Sequence, residues 1–598
     1  MKNNSRNLVS AVFCAVLFGA VLGSGVAAQS RAQNPPDGRN RLAHLQAFEG
    51  KMGAHFLEHL STGGANMFHM AKILSSQSLM HPADTPQARA AMARAMARLH
   101  SRVQAARQSE DRDADDHALV PVNDAGLDFQ FSRFAGFTQS ETSSAWCGDS
   151  IVAGFNDSGA DVRSRLEPVG GVSFSGVAAS GNRGRSFTGL PFLNPGPDRG
   201  TFLGGDPVVV CSDPRHFAYA SLLSQAQFDS QGNLLQALTG IAISRSSTGG
   251  LTWDSPIAAV TKDANANFLD KEWLAIDPGN PNNLYVTYTD FQAHGTELNC
   301  PPGIIGVGSG PDVLLEMVAS KDGGASWSSP VVIDSQCSLG IGQNLSGTQV
   351  AVGRKGVVYV AYASIDQKNA EMRFRSSTDG GVTFGPVVIV GKAITASTVG
   401  IDNLQGNFRT NAFPTMAVDA FAGAHRGALY LVWTDASRTQ LPDLIGNVFT
   451  GDPVYSFGDV VLSVSDDGGT SWSAPRLVSP TPSTFKGAGR DQFMAGVALD
   501  ASGALAVCYS DRRNDARNFA IDHFCSLSRD QGKTFKDVRE TPSSWTPTRG
   551  TDVFINPAYM GDYDTVSSDA TGANAGFFNT FQVQTNTNPD VFGMRLKF

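Results

Sequence analysis

Residues 463–474 read Ser-Val-Ser-Asp-Asp-Gly-Gly-Thr-Ser-Trp-Ser-Ala, and their kernel is Ser465-x-Asp467-x-Gly469-x-Ser471-Trp472. The same frame returns as Ser320-x-Asp322-x-Gly324-x-Ser326-Trp327, Ser377-x-Asp379-x-Gly381-x-Thr383-Phe384 and Ser528-x-Asp530-x-Gly532-x-Thr534-Phe535. Two further copies lack the acid: Ser180-x-Asn182-x-Gly184-x-Ser186-Phe187 and Ser246-x-Thr248-x-Gly250-x-Thr252-Trp253. Each copy predicts a β-hairpin turn. Short Ser and Asp side chains bond the turn's own backbone, Gly supplies a positive φ, and the aromatic ring anchors the turn in an apolar layer. Six copies in one frame form an internal repeat, which points to a repeat architecture. Successive copies are 66, 74, 57, 88 and 63 residues apart, a mean near 70.

The octet resembles the Asp-box, or bacterial neuraminidase repeat, of sialidase-like propellers. That resemblance covers roughly residues 130–598 and implies an all-β fold, a β-propeller in which each box joins the third and fourth strands of a blade. The spacing predicts seven blades, with six as the alternative because sialidases have six. One blade without a box can be written after the last octet, from Asp564–Asp569, Gly576–Val583 and Asp590–Phe598. A strand around Leu127–Phe137 would supply its outer edge and close the ring. The domain reading is a leader over 1–28, a short helical segment and linker over 29–120, and the propeller over 121–598.

Glycine at 63 residues and only 17 % charged residues suit a turn-rich β body. The formal net charge is −9, and removing Lys2 and Arg6 with the leader brings it to −11. No basic stripe exists, which argues against nucleic acid as a partner. Lys2 and Arg6, the apolar run Leu8–Val26 and the exit Val26-Ala27-Ala28-Gln29 read as a secretory signal cut after Ala28. No second long apolar segment follows, so no membrane span is expected after signal removal and the protein is expected to be secreted or periplasmic. Six cysteines then remain, an even count that suggests disulfides in an exported chain. Sequential pairing is preferred: Cys147–Cys211, Cys300–Cys337 and Cys508–Cys525.

Residues 31–120 follow a different pattern. Apolar residues recur at helical spacing from Leu42 to Leu60 and again across Ala88–Val103, so two or three helices are expected as a lid, a brace or a pro-segment. Within them His55-Phe56-Leu57-Glu58-His59 resembles the inverzincin, or pitrilysin-like, metallopeptidase string. On a helix His55 and His59 would share a face, with Glu58 as base. Seven of the eleven histidines fall before residue 120, which makes such a match easy, and the long α+β context is missing. An ordinary amphipathic helix is therefore preferred, no metal ligand is assigned, and a zinc peptidase is a remote alternative.

In such a propeller the face opposite the boxes gathers the starts of the innermost strands. These read as Glu141-Thr142-Ser143, Gly205-Asp206-Pro207, Asp270-Lys271-Glu272-Trp273, Arg409-Thr410-Asn411, Arg490-Asp491-Gln492 and Gly561-Asp562-Tyr563. Lys271, Arg409 and Arg490 would bring cations to the tunnel mouth among Glu141, Asp206, Asp270, Asp491 and Asp562. Guanidinium groups suit an anionic sugar and nearby acids suit proton transfer, whereas the bland alternative is charges that pair to hold neighbouring blades. The loop from Asp511 to Arg517 adds Arg512 and Arg513, as a glycan clamp or as a self-neutralising surface loop. Insertions at Phe291–Pro311 and Ala436–Phe457 would wall the same rim.

The resemblance also implies a test. Sialidases carry an Arg-Ile-Pro tripeptide before the first box, and none occurs here. No sialidase catalytic residue is carried over; Tyr509 and Tyr563 are the tyrosines to test as nucleophiles, with Glu141 and Glu272 as partners and Asp562 as a further acid. The expected function is a glycoside hydrolase of exo-sialidase-like type acting on acidic glycans, with a non-catalytic glycan- or protein-binding propeller as the alternative. No cofactor is expected, although propeller-tunnel carbonyls can hold a structural calcium without any linear motif.

Overall fold

The second strands of the blades are built from runs such as Leu284–Gln292 (LYVTYTDFQ) and Val358–Ile365 (VYVAYASI), in which every residue is buried. A β-branched and aromatic strand covered on both faces belongs in the middle of a sheet packed between other sheets. The outermost strands are instead mostly half-buried or exposed, as in Val331–Cys337, where Ile333 alone is buried. Stacking such sheets face to face around an axis is the propeller solution. In the computed structural model the described residues are 42–52, 60, 62–76, 118–124 and, from 137 to 597, all but a set of short segments, the longest being 294–311, 441–454 and 480–489.

The described residues form seven sheets, antiparallel throughout except for one short parallel pair, Val172–Ser173 with Thr201–Leu203. Their innermost strands are Gln139–Cys147, Val208–Cys211, Asn267–Ile276, Asn344–Val352, Thr415–Val418, Gln492–Leu499 and Thr565–Ser568, here blades 1 to 7. Each of these strands touches the next, and the seventh touches the first. Blade 2 carries two additional short strands, Thr201–Leu203 and Val172–Ser173.

Every octet joins the third and fourth strands of blades 1 to 6, and all six turns share one geometry. The serine hydroxyl accepts from the amide of the glycine four residues on, at 2.9 Å for Gly184, 3.0 Å for Gly250 and 2.9 Å for Gly469. That glycine has φ of 78° at Gly184, 84° at Gly250 and 91° at Gly469, in the left-handed region where a side chain is strained. In the acidic copies the carboxylate accepts from the amide and hydroxyl of the residue four on, as Asp467 does from Ser471 at 2.9 and 2.6 Å. The two copies without acid do the same work with neutral groups. Asn182 Oδ1 accepts from the Ser186 amide at 3.0 Å, and Thr248 Oγ1 from the Thr252 amide at 2.9 Å.

Blade 7 is completed from both ends of the propeller. Leu119–Pro121 pairs with Asn588–Leu596, so the closing strand is not the stretch Leu127–Phe137 expected from the sequence. Residues 127–136 of that stretch lie outside the described residues; Phe137 precedes the first inner strand. A three-residue strand ending in proline suits an edge, where the missing N–H faces no partner.

Two disulfides follow the sequential pairing. Cys147–Cys211 ties the ends of the first two inner strands, and Cys508–Cys525 links residues directly opposite in blade 6. Cys337 is also disulfide-bonded; its expected partner, Cys300, lies outside the described residues.

Two helices, Ala43–Met52 and Thr62–Ser76, precede the propeller. The second was not anticipated, while the Ala88–Val103 stretch, the leader and the His55-to-His59 string lie outside the described residues. No described helix is long and apolar enough to cross a membrane. Leu42, Leu45, Phe48, Met67 and Phe68 are buried in one cluster with Phe202, Val208 and Phe268 of the propeller. Burying such side chains contributes about 1.5–3 kcal/mol each, so the helices are part of the core and not an appendage.

Candidate functional site

The starts of the inner strands share a backbone device. Glu141, Asp206, Lys271 and Met494 are non-glycine residues with φ of 51°, 55°, 54° and 55°, and Gly347 and Gly561 occupy the left-handed region at φ 65° and 83° in two other blades. In blades 1, 3, 4 and 6 the register between the first two strands breaks at this point, between Ser140 and Ser143, Asp270 and Trp273, Ser346 and Gln349, and Phe493 and Gly496. A bulge of this kind re-aims a side chain, and each strained residue costs on the order of 1–3 kcal/mol that surrounding contacts must offset.

Those contacts centre on Asp562. Its Oδ2 accepts from Lys271 Nζ at 3.5 Å and from an Arg409 guanidinium nitrogen at 3.2 Å, and its Oδ1 accepts from Asn411 Nδ2 at 3.2 Å. The Asp562 amide donates to Glu141 Oε1 at 2.8 Å, while Asn156 Nδ2 donates to Glu141 Oε2 at 2.7 Å. Asn156 also accepts from the Asp206 amide at 2.8 Å, which links blades 1, 2 and 7. Asp270 and Glu272 flank Lys271 and are buried with it.

Burial, and after it the charge of Asp206, pushes the Glu141 carboxyl well above the usual range. The same two causes push up Glu272, whose carboxylate oxygens are buried without a hydrogen bond among the described residues. Burial works against the Lys271 ammonium, but Asp562, Glu141, Asp206 and Asp270 outweigh it and raise its pKa. Its Nζ lies 4.2 Å from the Tyr563 ring centre and 5.2 Å from that of Phe413, a cation–π sandwich. The cavity beside it, lined by Lys271, Trp273, Gly347, Phe413, Asp562 and Tyr563 among others, is small, about 20 Å³. That is near the room one water needs.

The structure therefore gathers Glu141, Asp206, Asp270, Lys271, Glu272, Arg409, Asp562 and Tyr563 in one buried cluster at the strand starts. The remaining sequence candidates make their contacts elsewhere. Among the described residues Arg490 donates to the carbonyls of Asp515 and Ala516 at 3.1 and 3.2 Å, and not to the Asp562 cluster. Asp491 accepts from the Gly458 amide and from Asn518. Arg512 is wholly buried between the rings of Phe408 and Phe493, at 5.3 and 5.6 Å, and donates to the Asn518 carbonyl. Arg513 pairs with Asp511 and Asp537, and Arg517 lies 3.6 Å from Asp515, so the 511–517 loop neutralises itself.

Neither tyrosine hydroxyl meets a glutamate among the described residues. Tyr509 contacts Ser526 at 2.7 Å and Arg513 at 3.0 Å, and Tyr563 donates to the Pro207 carbonyl at 2.9 Å. Burial, reinforced by Glu141, raises the Tyr563 phenol far above its ordinary value, the opposite of what a tyrosine nucleophile needs. Sequence reasoning missed Asn156, Gly347 and Met494. Blade 4 has no charged residue at its strand start, so nothing marked Ser346-Gly347-Thr348 as the equivalent phrase.

Neither a protein-family model nor a curated protein sequence matches the chain. Solved structures similar to it include a Hadza microbial sialidase (16 % identity, TM-score 0.36), of whose length the match covers 65 %, and 65 % of this chain. They include an α-L-arabinanase from Penicillium chrysogenum complexed with arabinobiose, at 13 % identity, TM-score 0.37, and coverage of 66 % of this chain and 94 % of that one. The intramolecular trans-sialidase from Ruminococcus gnavus is similar at 13 % identity and TM-score 0.34, with coverage of 66 % and 94 %. The chain is a seven-bladed β-propeller whose structural neighbours include glycoside hydrolases.

Proposed function

We propose that the chain is an exported, Asp-box propeller that processes glycans at the tunnel mouth, with Glu141 and Glu272 as the proton-transferring acids and Lys271 and Arg409 as the anion-binding groups. The observation that carries this reading is the pair of buried carboxyls, both held above the usual carboxylate range beside a buried ammonium. A carboxyl group with a raised pKa is the better suited to give a proton to a leaving oxygen, and a carboxylate nearby can activate water. This favours paired-carboxylate chemistry over the Tyr–Glu route, since the Tyr563 hydroxyl is committed to a carbonyl. An acidic sugar is the preferred substrate because its carboxylate would complement Arg409. The disulfides agree with an oxidising compartment outside the cytosol.

A second reading, a non-catalytic glycan-binding propeller, is favoured by one fact: Lys271 and Arg409 are both already paired with Asp562. The test is product release from a panel of acidic and neutral glycans by wild type, Glu141→Gln and Glu272→Gln. Hydrolysis predicts that one substitution lowers release by about 100-fold or more with unchanged Tm. Glycan binding without release in wild type establishes the second reading, and neither binding nor release removes both.

A further inference from the structure

We propose that the two N-terminal helices, with Leu60 between them, form an inhibitory cap that occupies the mouth of the propeller in the resting protein. The inference rests on the reading of that mouth as a ligand site. Four contacts carry it. The Arg409 guanidinium that pairs with Asp562 also donates to the Leu60 carbonyl, so a backbone oxygen of the cap sits where a ligand's oxygen would be held. Gly64, in the second helix, lies so close to Asp270 that a Cβ there would stand 2.6 Å from its Oδ1. Met67 lies over Gly204, next to the strained Gly205-Asp206 start of blade 2. Phe68 packs on Phe268 at 4.9 Å between ring centres, two residues before Asp270.

The cap thus touches the strand starts of blades 2 and 3 and the Arg409 segment that leads into blade 5. The cavity beside Lys271 is lined by propeller residues and has room for little more than one water, so the cover is read from the four contacts above. The Leu60 oxygen is a neutral acceptor, whereas a sugar carboxylate would make a charge-assisted, bidentate bond to the same guanidinium. An acidic ligand is therefore the kind of molecule able to compete with the cap for Arg409.

The test uses the full chain in three forms, under oxidising conditions throughout. Gly64→Leu drives a side chain into Asp270 and loosens the cap without weakening its helix. Met67→Cys with Gly204→Cys locks it: Met67 Cγ is 3.2 Å from the Cβ position of Gly204, close to the roughly 3 Å between a sulfur and the far Cβ of a disulfide. Amide exchange over residues 268–273 and 560–563 reads the cover, and the acidic-glycan panel reads the site. The expected result is exchange at least tenfold faster in Gly64→Leu than in wild type and slowest in the locked form, with glycan binding or turnover in the same order. Should Gly64→Leu fail to fold, Phe68→Ala serves as the loosened form. Unchanged exchange in the loosened form overturns the cap, as does a locked form that handles glycans as fast as a wild type able to bind or cleave them. Faster exchange in the loosened form, with no glycan bound or cleaved by any of the three forms, upholds the cover and overturns the glycan reading instead.

Discussion

Lys271 Nζ stands 4.2 Å above the Tyr563 ring, so an ammonium buried at the tunnel mouth is held by a ring and by the carboxylate next to it in sequence, Asp562. Its charge balances Asp562, Glu141, Asp206 and Asp270 in a water-poor space. Lys271→Met removes the cation and leaves the acids facing one another. The expected cost is about 3–5 kcal/mol, as for a broken buried ion pair. Thermal unfolding checks it, and adding Asp562→Asn should restore part of the loss. A Tm equal to wild type for the single substitution would show that Arg409 alone balances the cluster.

The octet carboxylates predict an acid response. Hydroxyl bonds from Ser326, Thr383 and Ser471 bring Asp322, Asp379 and Asp467 down to about 2. In the unfolded chain an aspartate titrates near about 3.9. The folded value is the lower one, so this stabilisation is complete above about pH 4 and is lost as pH falls through about 2. Urea midpoints measured from pH 5 to pH 2 should fall less steeply for Asp467→Asn than for wild type. Asn182 already shows that an amide holds the turn.

Glu540 predicts the opposite slope. Burial pushes its carboxyl up to about 8, against the hydrogen bond donated by Asn579 at 2.6 Å. The folded protein holds a proton there that the unfolded chain releases near about 4.3, so stability falls as pH rises from there to about 8. Glu540→Gln removes that proton from the balance. Its Tm relative to wild type should improve steadily between pH 5 and pH 8, and a constant difference would mean that Glu540 is not protonated in the fold.

The two described disulfides have different spans, 64 residues for Cys147–Cys211 and 17 for Cys508–Cys525. Chain entropy assigns them about 4 and about 3 kcal/mol. Replacing each pair with serine should lower Tm in that order. The Cys147–Cys211 loss should appear as earlier exposure of the blade 1 to blade 2 contact in amide exchange, because that bond joins two blades and the other lies within one.

What the sequence revealed was whatever is local. A Ser four residues before a Gly makes the same turn wherever it sits, so six octets disclosed the blades and the side of the ring on which the turns lie. Clusters such as Asp270-Lys271-Glu272 were legible because charge at a strand start is conspicuous. The closing strand was misplaced because Leu119-Val120-Pro121 is too short to show alternation, and its partner is at the far end of the chain. The grip of Arg409 on Leu60 was illegible for a similar reason. Its acceptor is a backbone carbonyl 349 residues away, and a carbonyl carries no mark of residue type.

Blade 7 joins a strand made at the start of the propeller to the last strands of the chain, and the Asn123 side chain accepts from the Val591 amide 468 residues away. A chain emerging from its N-terminus therefore holds Leu119–Pro121 unpaired until residues 588–596 have been made. Before then blade 1 and blade 6 each present an apolar flank with no neighbour, a state prone to association with other chains. Only a polypeptide that reaches these residues can hide both flanks at once. A chain cut short before residue 588 should therefore be recognised and cleared as misfolded, not kept as a smaller working propeller.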